Sequence, residues 1–444
     1  MQRLIDTKIT ILGAARSGVA VARLLHKAGA RVFVSDQASI ESKAQEAAEL
    51  HQAGIDFEFG GHSAKIYDAQ MVVLSPGIPV RSQVVRPFLE KNIPVLSEVE
   101  IAFWFCKAPI IGVTGSNGKT TTTTLIGDML RKKYSDAIVA GNIGQAFSEF
   151  AELSNERSWA VVELSSFQLE TIDTFHPRQA VVLNFAPNHL NRYDSYEDYL
   201  KAKWRITKNI SAQDHLIYNA ADPLLADWTG KIDCKKQGFH IDGDQSHAAF
   251  CFNDALFVNH EKFIETKEII LRGKHNYMNA MAAILAASNA GVNHSHIKEV
   301  LRTFRGVEHR LEEVAVKNGI TYINDSKATT VESLSYALQS FENPVILIAG
   351  GQDKGSDFST VNKMISAHVK NIILIGSAAS KMEQAWQGLK PIYREASLQD
   401  AVIRARSLAR EKDMVLLSPA CASFDMFNDY EDRGRQFKKI VESL

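Results

Sequence analysis

The stretch Pro109-Ile110-Ile111-Gly112-Val113-Thr114-Gly115-Ser116-Asn117-Gly118-Lys119-Thr120-Thr121 constrains this chain more than any other. An apolar β-type run enters a glycine-rich turn, a lysine follows, and a helix is expected from Thr120 to about Lys133. Backbone amides of such a turn, aided by the positive end of the helix, converge on phosphate oxygens. Lys119 would reach the outer phosphates, and Thr120 or Thr121 would hold a magnesium ion. One position departs from the standard spacing: Val113 stands where the first glycine falls, and Gly112 comes one residue early. The order strand, turn, Gly-Lys-Thr, helix points to binding of a nucleoside triphosphate and leaves open what the triphosphate is used for.

A chain of 444 residues has room for two to four domains. Its 45% hydrophobic and 23% charged residues are ordinary for a globular protein. With a formal net charge of −1 there is no overall field to attract nucleic acid or an anionic membrane, so an anionic ligand must be held by a local cluster. Cys106, Cys234, Cys251 and Cys421 are scattered without a C-x-x-C pair, which argues against a zinc site or disulfide framework and for a reducing compartment. Arg3, Asp6 and Lys8 precede the first apolar run, unlike a signal peptide. The run 101–106 is cut by Lys107 and Pro109, too short to span a bilayer. A cytoplasmic enzyme or binding protein is expected, a monomer acting on small molecules.

The first hundred residues read as strand 8–13, helix 17–28 with Ser17 as N-cap and Gly29 as its stop, then strand 31–36 ending in an acid. This is a Rossmann-like opening. Gly13 and Gly18 fit the first and third glycines of the dinucleotide fingerprint, but Ala15 sits at the second, which argues against NAD. A different nucleotide higher in the crevice would meet Arg16 and Ser17 with its phosphates and Asp36 with its sugar or base; a scaffold that binds nothing is the other reading. A third strand at 71–74 runs into Ser75-Pro76-Gly77-Ile78, on the same rim of carboxyl strand ends.

Beyond the phosphate loop, a strand near 137–140 ends at Gly141-Asn142, and strand 159–162 ends at Glu163, where such proteins place a magnesium carboxylate. Strand 179–183 leads to His189, either a structural histidine or a ligand. A helix over 195–209 is capped by Ser195 with Asp198; it carries Lys203 on one face with Tyr199, and alone that lysine reads as solvated. An alanine-rich helix from Lys274 to Gly291 offers His275 and Asn276 in its first turn. After Arg305-Gly306, a hairpin at Asn318-Gly319 and strands at 344–349, 371–376 and 414–417 make a further α/β region, with Lys327, Lys354 and Ser423 at strand ends. The expected architecture is α/β in three domains: an N-terminal Rossmann-like domain (1–107), a central P-loop ATPase-type α/β domain (108–306) and a C-terminal Rossmann-like domain (307–444).

Taken together these motifs resemble the Mur ligases, which build the peptide of bacterial cell-wall precursors. The resemblance spans essentially the whole chain. It rests on the loop Gly112 to Thr121 with its shifted glycine, Glu163-Leu-Ser-Ser-Phe-Gln168, Lys274-His-Asn-Tyr-Met-Asn279, Glu308-His-Arg310, and Gly350-Gly351 with Lys354-Gly355. Asn324-Asp-Ser-Lys-Ala-Thr329 and Leu417-Ser-Pro-Ala-Cys-Ala-Ser423 are similar to the member that adds D-glutamate to UDP-N-acetylmuramoyl-L-alanine. Asn188, Asn191 and Thr330 depart from the residues common in the family. The resemblance implies an ATP- and magnesium-dependent ligase working through an acyl phosphate. It implies that Lys119, Glu163 and His189 serve phosphoryl transfer and magnesium, and that Lys203 is carbamylated and faces the metal. It further implies Asn276, Arg310 and Asp325 for the nucleotide, and Asn142 with Arg16, Ser17, Asp36 and residues 75–78 for the UDP-sugar. Lys327, Thr329, Lys354, Ser423 and Tyr430 are implied for D-glutamate. A sister ligase with another amino acid, or a nicotinamide-dependent oxidoreductase carrying a phosphate-loop module, are the alternatives.

Overall fold

The computed structural model describes residues 4–142, 144–186, 192–341, 343–353 and 355–444, apart from the side chain of Glu332. The expected sites His189 and Lys354 therefore lie outside the described residues, as do Asn188 and Asn191. Two compact units emerge, residues 1–304 and 305–444. Among the described residues the strands form three sheets, of five, nine and six strands.

The first sheet is wholly parallel, in the order Asp56–Phe59, Arg31–Asp36, Lys8–Leu12, Met71–Leu74, Val95–Ser97. This is the doubly wound arrangement whose carboxyl strand ends make a ligand crevice. The second sheet has Ile110–Thr114 between Gln179–Val182 and Ala160–Glu163, with Ile138–Gly141 at that edge. On its other side run His215–Asn219 and Lys235–His240, then Ala249–Phe252, Ala255–Val258 and Glu261–Glu265, whose last two pairings are antiparallel. Every residue of Ile110–Thr114 is buried, as suits a parallel strand covered on both faces.

Residues from both sheets, such as Ile9, Val34, Ile110 and Val162, belong to one hydrophobic cluster. The helix Glu98–Phe105 joins them. Its Glu100 carboxylate, fully buried, accepts the amides of Asp173, Thr174 and Phe175 at 2.8–2.9 Å and the Trp104 Nε1–H at 2.9 Å. A buried carboxylate is tolerable only when saturated with donors in this way.

The unit 305–444 has its own sheet, ordered Glu312–Lys317, Ile320–Asn324, Met414–Leu417, Val345–Gly350, Val369–Ile375, Ile392–Arg394, with only the first pair antiparallel. A core packs on each face. The hairpin at Asn318-Gly319 is present, both residues having positive φ (51° and 74°) as a type I′ turn demands. Thr330 is the N-cap of helix Val331–Gln339, accepting the Ser333 amide at 3.2 Å. Asparagine would serve equally at that position.

Three expected boundaries shift. The first helix spans Arg16–Lys27 with Ala15 as an extended N-cap, so Ser17 lies inside the helix and caps nothing. The chain has already turned by then, because Asp36 takes the Ala14 amide at 2.6 Å. The helix after the phosphate loop begins at Lys119, on Gly118 as N-cap. The helix capped by Ser195 runs Tyr196–Trp204 and tightens to a 3₁₀ turn over Arg205–Thr207, which contains the buried Ile206 that packs against Gly112. Among the described residues no helix is long and apolar enough to cross a membrane.

Candidate active site

The shifted glycine of the phosphate loop has a packing reason. Gly112 belongs to the strand, and a Cβ there would come within 3.1 Å of both Ile206 and Leu164. Val113 is likewise a strand residue, between Glu163 and Val181. The turn itself spans 115–118. Gly118 has φ +82°, and a Cβ on it would lie 2.3 Å from Asn279 Oδ1, so only glycine fits.

The turn is braced by the segment following strand Gln179–Val182. Asn117 N–H donates to Asn184 Oδ1 (2.9 Å), and Asn184 Nδ2 returns a bond to the Asn117 carbonyl (3.1 Å). Ser116 Oγ accepts the Ala186 amide (2.9 Å), donates to the Ala186 carbonyl (2.8 Å) and lies 3.0 Å from the Tyr199 hydroxyl. Asn184 escaped the sequence reading; its position just past a buried strand was the available signal.

Two lysines converge on the turn. Lys119 Nζ donates to the carbonyls of Gly115 and Ser116 at 3.0 Å each. Lys203 Nζ donates to the same Gly115 carbonyl at 2.8 Å and lies 4.8 Å from the centre of the Tyr199 ring. Lys203 is 2% exposed, not solvated. Burial, followed by the charge of Lys119, holds its amine well below the ordinary lysine range, with Glu163 acting the other way.

Glu163 is 2% exposed at the end of its strand. Its Oε1 accepts Asn142 Nδ2 at 3.0 Å; among the described residues its buried Oε2 has no hydrogen-bond partner. Thr120 is also buried; Thr121 follows it in the helix. Among the described residues no cluster of three or more His, Cys, Asp or Glu is formed. Magnesium needs no such cage, since it is held by one or two carboxylates with phosphates and water completing the shell. A buried carboxylate oxygen with no partner beside a phosphate turn fits that requirement. Asn276, in the first turn of helix Lys274–Asn289, donates to the Arg272 carbonyl at 2.9 Å and accepts from Asn279 at 3.4 Å.

At the rim of the first sheet, Asp36 spends one oxygen on each of the Ala14 and Ala38 amides, at 2.6 and 2.8 Å. Ser75 Oγ donates to the Gly13 carbonyl at 2.8 Å, and Ile78 N–H closes the turn on Ser75 O at 2.9 Å. Arg16 donates to the Gly144 carbonyl, two residues beyond Asn142. Arg192, which the sequence reading passed over, donates to Pro76 O and Ile78 O.

In the unit 305–444, Asp325 is buried at a strand end, accepting from Ser418 Oγ (2.9 Å) and the Leu311 amide (3.2 Å). Burial pushes its carboxyl up to about 7 despite those bonds and the charge of Arg310. Lys327 Nζ lies 5.8 Å from the centre of the Tyr430 ring. The fully buried Arg433 ties this region together, donating to the carbonyls of Ser326, Cys421 and Ala422. Ser423, 2% exposed, follows directly; Thr329 is half-buried two residues past Lys327.

Fold and site together define an α/β phosphate-loop enzyme. Residues 113–287 match the Mur ligase middle domain, 309–421 the Mur ligase glutamate ligase domain, and 8–84 the MurD N-terminal domain. The chain is 42% identical to the UDP-N-acetylmuramoylalanine–D-glutamate ligase of Salinibacter ruber, across 99% of this chain and 98% of that one. It is 43% identical to the enzyme of that name from Chlorobium phaeobacteroides, across 98% of each. Among solved structures, the UDP-N-acetylmuramate-alanine ligase MurC of Thermotoga maritima shares the fold, with TM-score 0.60 and 21% identity across 98% of this chain and 99% of that one. The chain belongs to the Mur ligase family.

Proposed function

We propose that this chain joins D-glutamate to UDP-N-acetylmuramoyl-L-alanine at the expense of ATP, through an acyl phosphate, giving ADP and phosphate in cytoplasmic synthesis of peptidoglycan precursors. The observation that carries this reading is the 42% identity to a D-glutamate ligase over 99% of the chain. The convergence of Lys119, Lys203 and Glu163 on the phosphate turn agrees with it.

A carboxylate is a poor electrophile at neutral pH. Phosphorylating it supplies a leaving group; the amine of D-glutamate attacks the acyl carbon, and phosphate departs from the tetrahedral intermediate. The turn Gly115-Ser116-Asn117-Gly118 at the start of helix Lys119–Arg131 is assigned to the phosphates, and Lys119 exchanges its two carbonyls for phosphate oxygens. Magnesium, when bound, would neutralise charge on the moving phosphoryl group. Glu163, Thr120 and His189 are the residues assigned to hold it. An ammonium at Lys203 would oppose a cation there. Its environment favours the uncharged amine, which can add to carbon dioxide: an N–C bond forms, a proton leaves, and a carbamate replaces the positive charge.

Arg16, Ser17, Asp36, Asn142 and the turn Ser75-Pro76-Gly77-Ile78 are assigned to the UDP-sugar, and Asn276, Arg310 and Asp325 to the nucleotide. Lys327, Thr329, Lys354, Ser423 and Tyr430 supply the cations and hydroxyls that the two carboxylates of D-glutamate need. The chain divides by substrate into residues 1–107, 108–306 and 307–444, and works as a monomer.

The test is ADP release in the presence of UDP-N-acetylmuramoyl-L-alanine and, in turn, D-glutamate, L-alanine, L-lysine and diaminopimelate. D-glutamate alone should support turnover; turnover with another amino acid and none with D-glutamate would make this a sister ligase. Lys119→Ala should lower turnover by orders of magnitude while UDP-substrate binding persists.

A further inference from the structure

Arg192 sits where three parts of the unit 1–304 meet. Its Nη1 donates to the Pro76 carbonyl at 2.6 Å and its Nη2 to the Ile78 carbonyl at 3.1 Å. Its guanidinium carbon lies 3.8 Å from the centre of the Phe167 ring. Phe167 belongs to the short helix Ser166–Leu169, which is capped by Ser165 and begins three residues after Glu163. One side chain thus links the strand end that carries Glu163 to the turn at the rim of the first sheet. A planar fork is suited to this, gripping two carbonyls in fixed directions while stacking on a ring; a lysine offers neither property. Burial weakens the hold of Arg192 on its proton, and the Glu170 carboxylate works against that loss.

The consequence for the turn follows from peptide planarity. The Pro76 carbonyl and the Gly77 N–H belong to one peptide unit, which is trans, so they point in opposite directions. With the carbonyl held by Arg192, the Gly77 N–H must point away from it. Gly77 is exposed, and among the described residues no backbone carbonyl takes this N–H. Pro76 has no N–H to give, and the Ile78 N–H is consumed by Ser75 O. Gly77 therefore supplies the one amide of residues 76–78 available to meet a ligand.

We propose that Arg192 is a positioning residue for the UDP-substrate: by holding the carbonyls of Pro76 and Ile78 it fixes the Gly77 N–H as a donor to an acceptor oxygen of that substrate. The inference rests on the assignment of residues 75–78 to the UDP-sugar. Arg192 touches neither ATP nor the amino acid in this account, so its removal should act on one substrate alone.

The experiment compares wild type, Arg192→Ala and Arg192→Lys by steady-state kinetics and by direct calorimetric titration with UDP-N-acetylmuramoyl-L-alanine. Arg192→Ala should raise KM and Kd for the UDP-substrate by about tenfold or more, with KM for ATP and D-glutamate within about threefold of wild type. Arg192→Lys should fall short of full recovery. Millimolar methylguanidinium should restore part of the lost affinity in Arg192→Ala, which a variant impaired only in folding would not show. Equal rises in all three KM values, a fall in kcat alone, or no response to methylguanidinium would overturn the proposal. Tight UDP-substrate binding by wild type with unchanged affinity in Arg192→Ala would overturn it while leaving the ligase reading intact. Absence of UDP-substrate binding in wild type would overturn both.

Discussion

Lys203 shows how far a residue's meaning depends on what surrounds it. In the sequence it is one lysine of a polar helix, four residues after a tyrosine. In the fold it is buried beside Lys119, sharing the Gly115 carbonyl with it. Burial, and after it the charge of Lys119, holds the Lys203 amine well below the ordinary lysine range. Lys203→Ala should therefore lose ligase activity by about two orders of magnitude or more, with partial return on adding formate or acetate, small carboxylates that can occupy the vacated space. Activity equal to wild type without any additive would mean that the amine takes no part. Arg192 is the converse case. Its neighbours in sequence gave no pattern to read, since both of its carbonyl partners lie more than a hundred residues earlier in the chain.

At the level of elements, the parallel strands were the legible part. Ile110–Thr114 and Val345–Gly350 are buried on both faces, and burial on both faces writes an unbroken apolar run into the sequence. Short edge strands such as Asp56–Phe59 and Ile392–Arg394, half-buried and partly polar, leave no such run and went unread. So did the antiparallel ribbon over residues 249–265, whose loops lack an Asn-Gly signal. Of the site, the phosphate turn and Glu163 were readable because each ends an apolar strand; the brace from Asn184 was not. The turn is also where an element can be tested. Gly118→Ala forces a left-handed backbone on an alanine, at about 1–2 kcal/mol, and drives its methyl into Asn279. The turn should open, raising KM for ATP by about tenfold or more while UDP-substrate affinity holds. Adding Asn279→Ala should recover only part of the loss, because the backbone strain remains; full recovery would make the clash the whole cause.

On the scale of the molecule, the two compact units differ in how they close their cores. Residues 305–444 hold a six-stranded sheet with a separate apolar cluster on each face, including Leu347 and Trp386 on one and Ile348 and Phe437 on the other. Among the described residues, both clusters are built from positions within 305–444. Expressed alone, it should fold cooperatively, giving a dispersed amide spectrum and one sharp thermal transition. A spectrum collapsed into the random-coil range would show that it depends on the rest of the chain.

The sheets of the first unit permit no comparable separation. Glu100 brings its carboxylate to the amides of Asp173, Thr174 and Phe175, and one apolar cluster runs across residue 107. A chimera that swaps in a foreign first sheet by splicing at 107 would strand an acid without its donors, or donors without their acid. The exchangeable module is set by where that carboxylate lands, so a workable graft must carry helix Glu98–Phe105 together with the bend at 173–175 that receives it.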